Sequence, residues 1–133
     1  MRVFLFIVTF LVTSIFGSTL YHADSYSDAI QEGKIKHKAV VLFTHSPFCP
    51  YCKKMQQDTL SNKKVIKLLN DKFIFVSVDL SLDLETDDVP KKFIPRGTPT
   101  TYVIDPNNQQ LLFSLRGYKT PKSFINRLSR ELY

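Results

Sequence analysis

The chain has 133 residues, of which 44% are hydrophobic, so it can form one domain with an apolar core but not two. Its formal net charge is +6, yet the basic residues are scattered among acidic and polar ones and no aromatic residues alternate with them. This pattern argues against a nucleic-acid partner and indicates a solvated surface with a basic bias.

The first 17 residues have the layout of a secretory signal peptide. Met1 and Arg2 form a short positive region, residues 3–16 are an almost unbroken apolar run, and the small residue Gly17 follows. A membrane anchor is the alternative, but the run is short for a spanning helix, which needs about 20 residues. We therefore expect cleavage after Gly17, with no stable membrane insertion afterwards. The mature domain, 18–133, would be periplasmic or otherwise exported, in an oxidising compartment.

The remaining chain predicts helices and strands in a definite order. Apolar residues at helical spacing predict helices at 25–36, from Pro50 onward, after Ser61 and Asn62, within 89–94, and after Pro121, the last with an apolar face of Phe124, Ile125, Leu128 and Leu132. Runs of strand-forming residues lie at 39–44, 73–79, 100–104 and 110–116, with a turn at 105–108. The polar and acidic segment 81–90 predicts an exposed loop, and a metal site is the alternative for the acidic run 79–88. Gly33 argues against the first helix, because glycine has a low helix propensity.

This order of elements restricts the topology. A strand, a helix and a second strand require a right-handed parallel crossover, whereas the closing hairpin must be antiparallel. The compact solution is an α/β fold with a mixed sheet of four strands, or five, and helices on both faces.

The two cysteines, Cys49 and Cys52, lie where the first strand gives way to a helix. A thiolate there faces unpaired backbone N–H groups and the positive end of the helix dipole, so the pKa of the Cys49 thiol should fall below the free value of about 8.5. Pro50 is tolerated because its missing N–H would have no helical partner. The spacing lets Cys52 reach back, so Cys49 is the predicted nucleophile and Cys52 the resolving thiol.

Other uses of this pair remain open. A structural disulfide suits an exported protein, but a bridge across so small a loop removes little chain entropy. A zinc half-site would need more ligands, and His22, His37 and His45 lack ligand spacing. A covalent haem would need histidine where Lys53 stands. We therefore predict a redox pair that uses neither a metal nor a bound cofactor.

Two motifs resemble those of the thioredoxin superfamily. The segment FCPYCKKM at 48–55 is similar to the family's active site, and its CPYC tetrapeptide is typical of glutaredoxins; RGTPT at 96–100 stands just before the third strand, where the family carries a proline. The resemblance covers nearly all of the mature chain and implies a thioredoxin fold. It also implies a cis bond at Pro99, which faces the cysteines across the substrate groove, and pairing of the Thr98 backbone with substrate. Pro50 and Tyr51 would complete that surface.

The departures from the family pattern concern aromatic residues. Phe48 stands where thioredoxins carry tryptophan, Phe43 where they carry a buried aspartate, and Phe75 where the lysine that partners this aspartate would fall. The aspartate accepts the proton of the resolving thiol in the family, so deprotonation of Cys52 would need another route, such as water. Nothing in the sequence marks a glutathione site.

Two further residues are candidates for tuning the pKa of Cys49. His45 precedes Cys49 by four positions and could raise the local positive potential or carry a proton; the alternative is a solvent-facing loop histidine. Arg96 precedes the Thr98–Pro99 bond and could add positive charge; the alternative is a solvated loop arginine.

The sequence therefore predicts a thiol:disulfide oxidoreductase that acts on thiols and disulfides of exported proteins and is reset by a membrane-bound redox partner. Family members that are strong oxidants carry a helical insertion between the second strand and the proline, and only residues 80–98 separate them here. This favours a thioredoxin-like reductant. The alternatives are a disulfide-forming oxidant or isomerase, and a binding module with a structural bridge.

Overall fold

The computed structural model describes residues 19–132, and the predicted signal peptide at 1–17 lies outside them. Its elements are α1 (Tyr26–Lys36), β1 (Ala39–His45), α2 (Pro50–Lys54), a π-helical turn (Met55–Thr59), α3 (Lys63–Lys72), β2 (Phe73–Asp79), α4 (Asp83–Thr86), a 3-10 turn (Lys91–Phe93), β3 (Thr100–Asp105), β4 (Gln110–Arg116), α5 (Pro121–Ser129) and a closing 3-10 turn (Arg130–Leu132). Across residues 19–132, no helix has the length and apolar character needed to cross a membrane.

The four strands form one mixed sheet in the order β2-β1-β3-β4. β1 runs parallel to β2, while β3 is antiparallel to both β1 and β4. The parallel pair follows from the helical crossover between β1 and β2, and the antiparallel pair from the hairpin turn at 105–108. The predicted mixed sheet of an α/β fold is thus confirmed, with four strands in the described part of the chain.

An extended N-terminal arm, residues 19–23, lies along β2 where a fifth strand would be placed. The Ala23 N–H donates to the Phe75 carbonyl at 2.9 Å. The Asn70 side chain accepts from the Tyr21 N–H at 2.9 Å and donates to the Thr19 carbonyl at 2.8 Å. The arm therefore covers an edge of the sheet that would otherwise leave backbone groups unpaired.

Both faces of the sheet are covered, which explains the continuous apolar runs of β1 and β2. Because side chains alternate along a strand, one set of strand side chains, Val40, Leu42, Val76 and Tyr102, packs with Ala29 and Ile30 of α1 and Phe93 of the 3-10 turn. The other set, Val41, Phe43, Phe75 and Val103, packs with Leu69 of α3 and with Phe124 and Leu128 of α5.

The predicted first helix forms despite Gly33, whose missing side chain makes room for two neighbours. A Cβ at this position would lie 2.8 Å from the Lys38 carbonyl oxygen and 2.9 Å from the Pro106 Cβ. The helix ends at His37, whose left-handed backbone (φ 55°) directs its N–H to the Gly33 carbonyl. The glycine thus lets α1 approach the β3–β4 turn.

Two predictions about local structure are corrected. The segment 81–90 is not a loop throughout, since it contains α4. The carboxylate of Glu85 in α4 accepts the Asp79 N–H at 2.6 Å. Leu132 does not extend the apolar face of the last helix. It lies in the closing 3-10 turn and is 39% exposed, because three residues per turn move its side chain off the face that buries Leu128.

Candidate active site

The cysteines lie at the end of the sheet where β1 and β2 finish. β1 ends at His45, which is in register with Asp79 of β2. β3 runs antiparallel and begins at this same end, with Thr100 opposite Thr44. The loop before β3, which carries Thr98 and Pro99, is therefore brought beside the segment that leads from β1 to Cys49.

Cys49 is the N-cap of α2 and is joined to Cys52 by a disulfide bond, with the two Cα atoms 5.2 Å apart. Its extended backbone ends the connection from β1, and Pro50 occupies the first helical position. The Cys52 N–H donates to the Cys49 Sγ at 3.1 Å. A thiolate at Cys49 would thus meet a helix-terminal donor that stabilises negative charge, which lowers a thiol pKa.

The two sulfur-bearing residues differ in exposure. Cys49 is 8% exposed and Cys52 is 1% exposed, so an incoming sulfur reaches Cys49 first. Around this opening the Phe48 ring is 95% exposed and Tyr51 is 63% exposed. The helix start thus presents two solvent-exposed aromatic rings beside the less buried of the two cysteines.

The loop containing Pro99 is held against two strands. The Thr98–Pro99 bond is cis, and the Pro99 carbonyl accepts the Gly117 N–H at 2.8 Å. The Thr98 and Ser46 hydroxyl oxygens are 3.3 Å apart. Because Ser46 belongs to the segment between β1 and Cys49, this pair joins the proline loop to the cysteine loop.

A cleft of about 610 Å³ opens beside Thr98 and Pro99. Its walls are the loop at 94–100 and the strand residues Tyr102, Ser114 and Arg116. Burial raises the pKa of the Tyr102 hydroxyl, while the positive charge of Arg116 acts in the opposite direction. The cleft thus borders the predicted substrate groove.

The π-helical turn after α2 was not predicted, since the sequence indicates an uninterrupted helix to Ser61. The Leu60 N–H donates to the Met55 carbonyl at 2.9 Å, a wider turn than that of an α-helix. Two contacts tether it: the Lys119 N–H donates to the Met55 Sδ at 3.3 Å, and the Thr59 hydroxyl donates to the Lys119 carbonyl at 2.5 Å. These tertiary contacts leave no sequence signal.

Neither candidate for tuning the pKa of Cys49 has a described contact with a cysteine. The His45 ring stacks on Phe43, with ring centroids 5.6 Å apart, and its carbonyl accepts the Leu80 N–H at 2.9 Å. Arg96 is exposed on the wall of the cleft. Both residues lie at the same end of the sheet as Cys49. Their role in tuning the pKa of the Cys49 thiol stays a prediction.

Phe43 and Phe75 are both buried in the same apolar cluster. They stand on the adjacent strands β1 and β2, and Met55, which follows α2, belongs to the same cluster. Across residues 19–132, the buried polar residues are four threonines and no charged residue is buried. The two positions at which the family resemblance puts an acid and its lysine therefore lie in an apolar interior.

The acidic segment after β2 is a structured edge of the site. The Ser81 hydroxyl and backbone N–H both donate hydrogen bonds to the Asp79 carboxylate. These bonds hold the pKa of Asp79 below its ordinary value, and the nearby His45 adds to this effect. In the described part of the chain, no group of three or more His, Cys, Asp or Glu side chains is placed to hold a metal ion.

Ser46 and Arg116 were not identified from the sequence. Ser46 is three residues before Cys49, and only the fold brings it to Thr98. Arg116 could have been found from strand register, since the hairpin pairs it with Thr100. Both are thus contributed by long-range pairing rather than by a local motif.

The chain was compared with protein-family models, with curated proteins and with solved structures. A family model described as a thioredoxin-like domain matches residues 26–130. No curated protein matches the chain.

Three solved structures are similar to this chain in fold. A thioredoxin from Thermus thermophilus is 24% identical, with 86% of this chain and 88% of that one covered and a TM-score of 0.73. A DsbH oxidoreductase is 18% identical, with 86% of each chain covered and a TM-score of 0.73. A disulphide isomerase from Xylella fastidiosa is 20% identical, covering 84% and 94%, with a TM-score of 0.65. The predicted thioredoxin fold is confirmed.

Proposed function

Because the chain belongs to the family of thioredoxin-like domains, we propose that it is an enzyme that exchanges dithiols for disulfides in exported proteins. The observation that carries this proposal is the position of Cys49. Its sulfur accepts a hydrogen bond from the first turn of α2 and is the more exposed of the pair. A low thiol pKa and access to another sulfur are the two requirements of an attacking thiolate.

The proposed reaction begins with the reduced pair. The Cys49 thiolate attacks one sulfur of a client disulfide, forms a mixed disulfide, and releases the other client sulfur as a thiolate. The Cys52 thiolate then attacks Cys49, which releases the second client thiolate and closes the Cys49–Cys52 disulfide. Two electrons pass to the client, and the two client thiolates take up protons from solvent.

The client chain would lie across the Thr98–Pro99 loop. Pro99 is buried and its loop is joined to the cysteine loop through Ser46 and Thr98, which supports our proposal that the Thr98 backbone pairs with an extended segment of the client. The exposed rings of Phe48 and Tyr51, together with Pro50, would contact the same segment from the side of α2.

We propose the direction of a thioredoxin-like reductant. Between β2 and Pro99 the chain holds only the single turn of α4 and a 3-10 turn, so it lacks the helical insertion of strong oxidants. A reductant must itself be reduced after each cycle, and a membrane-bound redox partner is our candidate. Residues 1–17, read as a signal peptide, would bring the domain to the compartment where such a partner and disulfide-bonded clients are found.

An assay of catalysed exchange tests the activity. With dithiothreitol as reductant, the purified chain should raise the rate of reduction of a fluorescence-quenched peptide disulfide by at least about tenfold over the uncatalysed rate, because a lowered thiol pKa supplies more thiolate. The matched control is the double variant C49S/C52S, which keeps the fold and removes both sulfurs. Equal rates with the chain and with this variant would contradict the proposal.

A further inference from the structure

The charged side chains that line the cleft beside the Thr98–Pro99 loop are all positive. Its charged lining residues are Arg96 and Arg116, and no aspartate or glutamate lines it. Both arginines are exposed, and neither forms an ion pair within residues 19–132. Two guanidinium groups without an acidic partner on one cleft favour an anionic ligand.

Strand register explains how these groups come together. Thr100 is paired with Arg116 and Tyr102 with Ser114, so these four side chains point to one face of the β3–β4 hairpin. Arg96 approaches from the loop that precedes β3. The Ser114 and Tyr102 hydroxyl groups add hydrogen-bond donors to the same cleft, and the Lys119 ammonium donates to the Arg116 carbonyl at 2.6 Å.

The opposite edge of the site has the opposite charge. In the sheet order β2-β1-β3-β4, the cleft lies at β3 and β4 on one side of β1, and the acidic segment follows β2 on the other side. That segment carries Asp79, Asp83, Glu85, Asp87 and Asp88. A client lying across the cysteines therefore meets positive charge on the β4 side and negative charge on the β2 side, which favours one orientation and disfavours the reverse.

We propose that the cleft recognises carboxylate side chains of the client, so that this protein prefers disulfides whose cysteine is flanked by aspartate or glutamate. The inference rests on the proposed exchange function and deepens it, because it names the class of client segment. Arg116 and Arg96 are the specificity-determining residues. They bind the carboxylates next to the reacting cysteine, while Cys49 and Cys52 perform the exchange itself.

Three peptide disulfides of one length test this preference, with glutamates, glutamines or lysines flanking the cysteine. At low ionic strength we expect the second-order rate constant for exchange to be at least about threefold higher for the glutamate peptide than for the glutamine peptide, and lowest for the lysine peptide. Salt at about 0.5 M should compress these differences.

Variants of one arginine complete the test. With each rate expressed relative to that of the glutamine peptide with the same variant, R116E should reverse the order of the glutamate and lysine peptides, and R116Q should level it. The matched control R130E makes the same charge change after α5, on the opposite face of the sheet, and should keep the wild-type order. Equal rates for all three peptides with the wild type would overturn the carboxylate preference and leave the exchange function standing. No exchange with any peptide would overturn the exchange function as well.

Discussion

Replacing Cys52 with serine is expected to convert a transient intermediate into a stable one. The C52S variant keeps Cys49, the less buried cysteine, which can attack a client disulfide, but lacks the thiol that resolves the mixed disulfide. It should therefore accumulate covalent complexes with exported proteins. The C49S variant retains only Cys52, which is 1% exposed, and should accumulate at least about tenfold fewer, because a buried thiol is slow to attack.

Expression of the full chain, followed by thiol alkylation and non-reducing electrophoresis, would reveal these complexes as species that disappear on reduction. The C49S/C52S variant is the matched control for non-covalent association. Turnover of a peptide disulfide should fall by at least about 10³-fold in both single variants, because each lacks one half of the exchange. Trapping by C49S at the level of C52S would contradict the assigned roles.

Replacing Phe43 with aspartate is expected to destabilise the protein severely. Phe43 is buried in an apolar cluster with Phe75 and Met55, so a carboxylate there would lose its hydration, with the His45 ring that stacks on Phe43 beside it. We expect a loss of about 3–5 kcal/mol in the free energy of unfolding. The control F43L, which keeps the site apolar, should cost about 1–2 kcal/mol.

The pH dependence of this loss has a definite sign. Burial raises the pKa of the introduced carboxyl in the folded state above its unfolded value of about 3.9. The folded state then binds more protons than the unfolded state, so the loss is smallest near pH 4 and grows as the pH rises. Urea unfolding of the wild type and F43D at pH 4.5 and pH 8 measures it. An equal loss at both values would mean that the carboxyl is hydrated and that the cluster is not dry.

A double variant tests whether a buried ion pair can form between positions 43 and 75. Phe75 lies on the neighbouring strand in the same cluster, where the family resemblance puts the lysine that partners the acid. In a double-mutant cycle, F43D/F75K should lose at least about 1 kcal/mol less than the sum of the two single variants. Additive losses would mean that the two side chains do not meet in this interior.

The elements of the fold were predictable because their signals are local. The runs at 39–44 and 73–79 contain apolar residues of high strand propensity. They correspond to β1 and β2, respectively, with little change in their bounds. Ser25, Asn62 and Thr120 each accept a hydrogen bond at a helix start, which made the starts of α1, α3 and α5 visible in sequence. The motif around Cys49 and Cys52 was recognised for the same reason.

The features that were missed depend on contacts between distant parts of the chain. The π-helical turn is held by Lys119, which lies 64 positions beyond Met55. The arm at 19–23 adopts its position through Asn70, and the charge of the cleft arises when β4 carries Arg116 opposite Thr100. Gly33 has an unfavourable local propensity, and only its close approach to Pro106 explains its presence.

Whether Cys49 and Cys52 form a reversible redox pair is the central question. Equilibration of the purified protein in glutathione and dithiothreitol buffers, with alkylation and a mass measurement, gives the potential of the couple. We expect the helix start to stabilise the Cys49 thiolate, and Phe43 stands where the family resemblance puts a carboxylate whose charge would oppose it. The reduced form should therefore be favoured relative to that of thioredoxin. We expect about −180 to −260 mV, at or above the potential of thioredoxin. A value near −120 mV would identify an oxidant and contradict the proposed direction, and a value below about −300 mV would identify a structural bridge and contradict the exchange function.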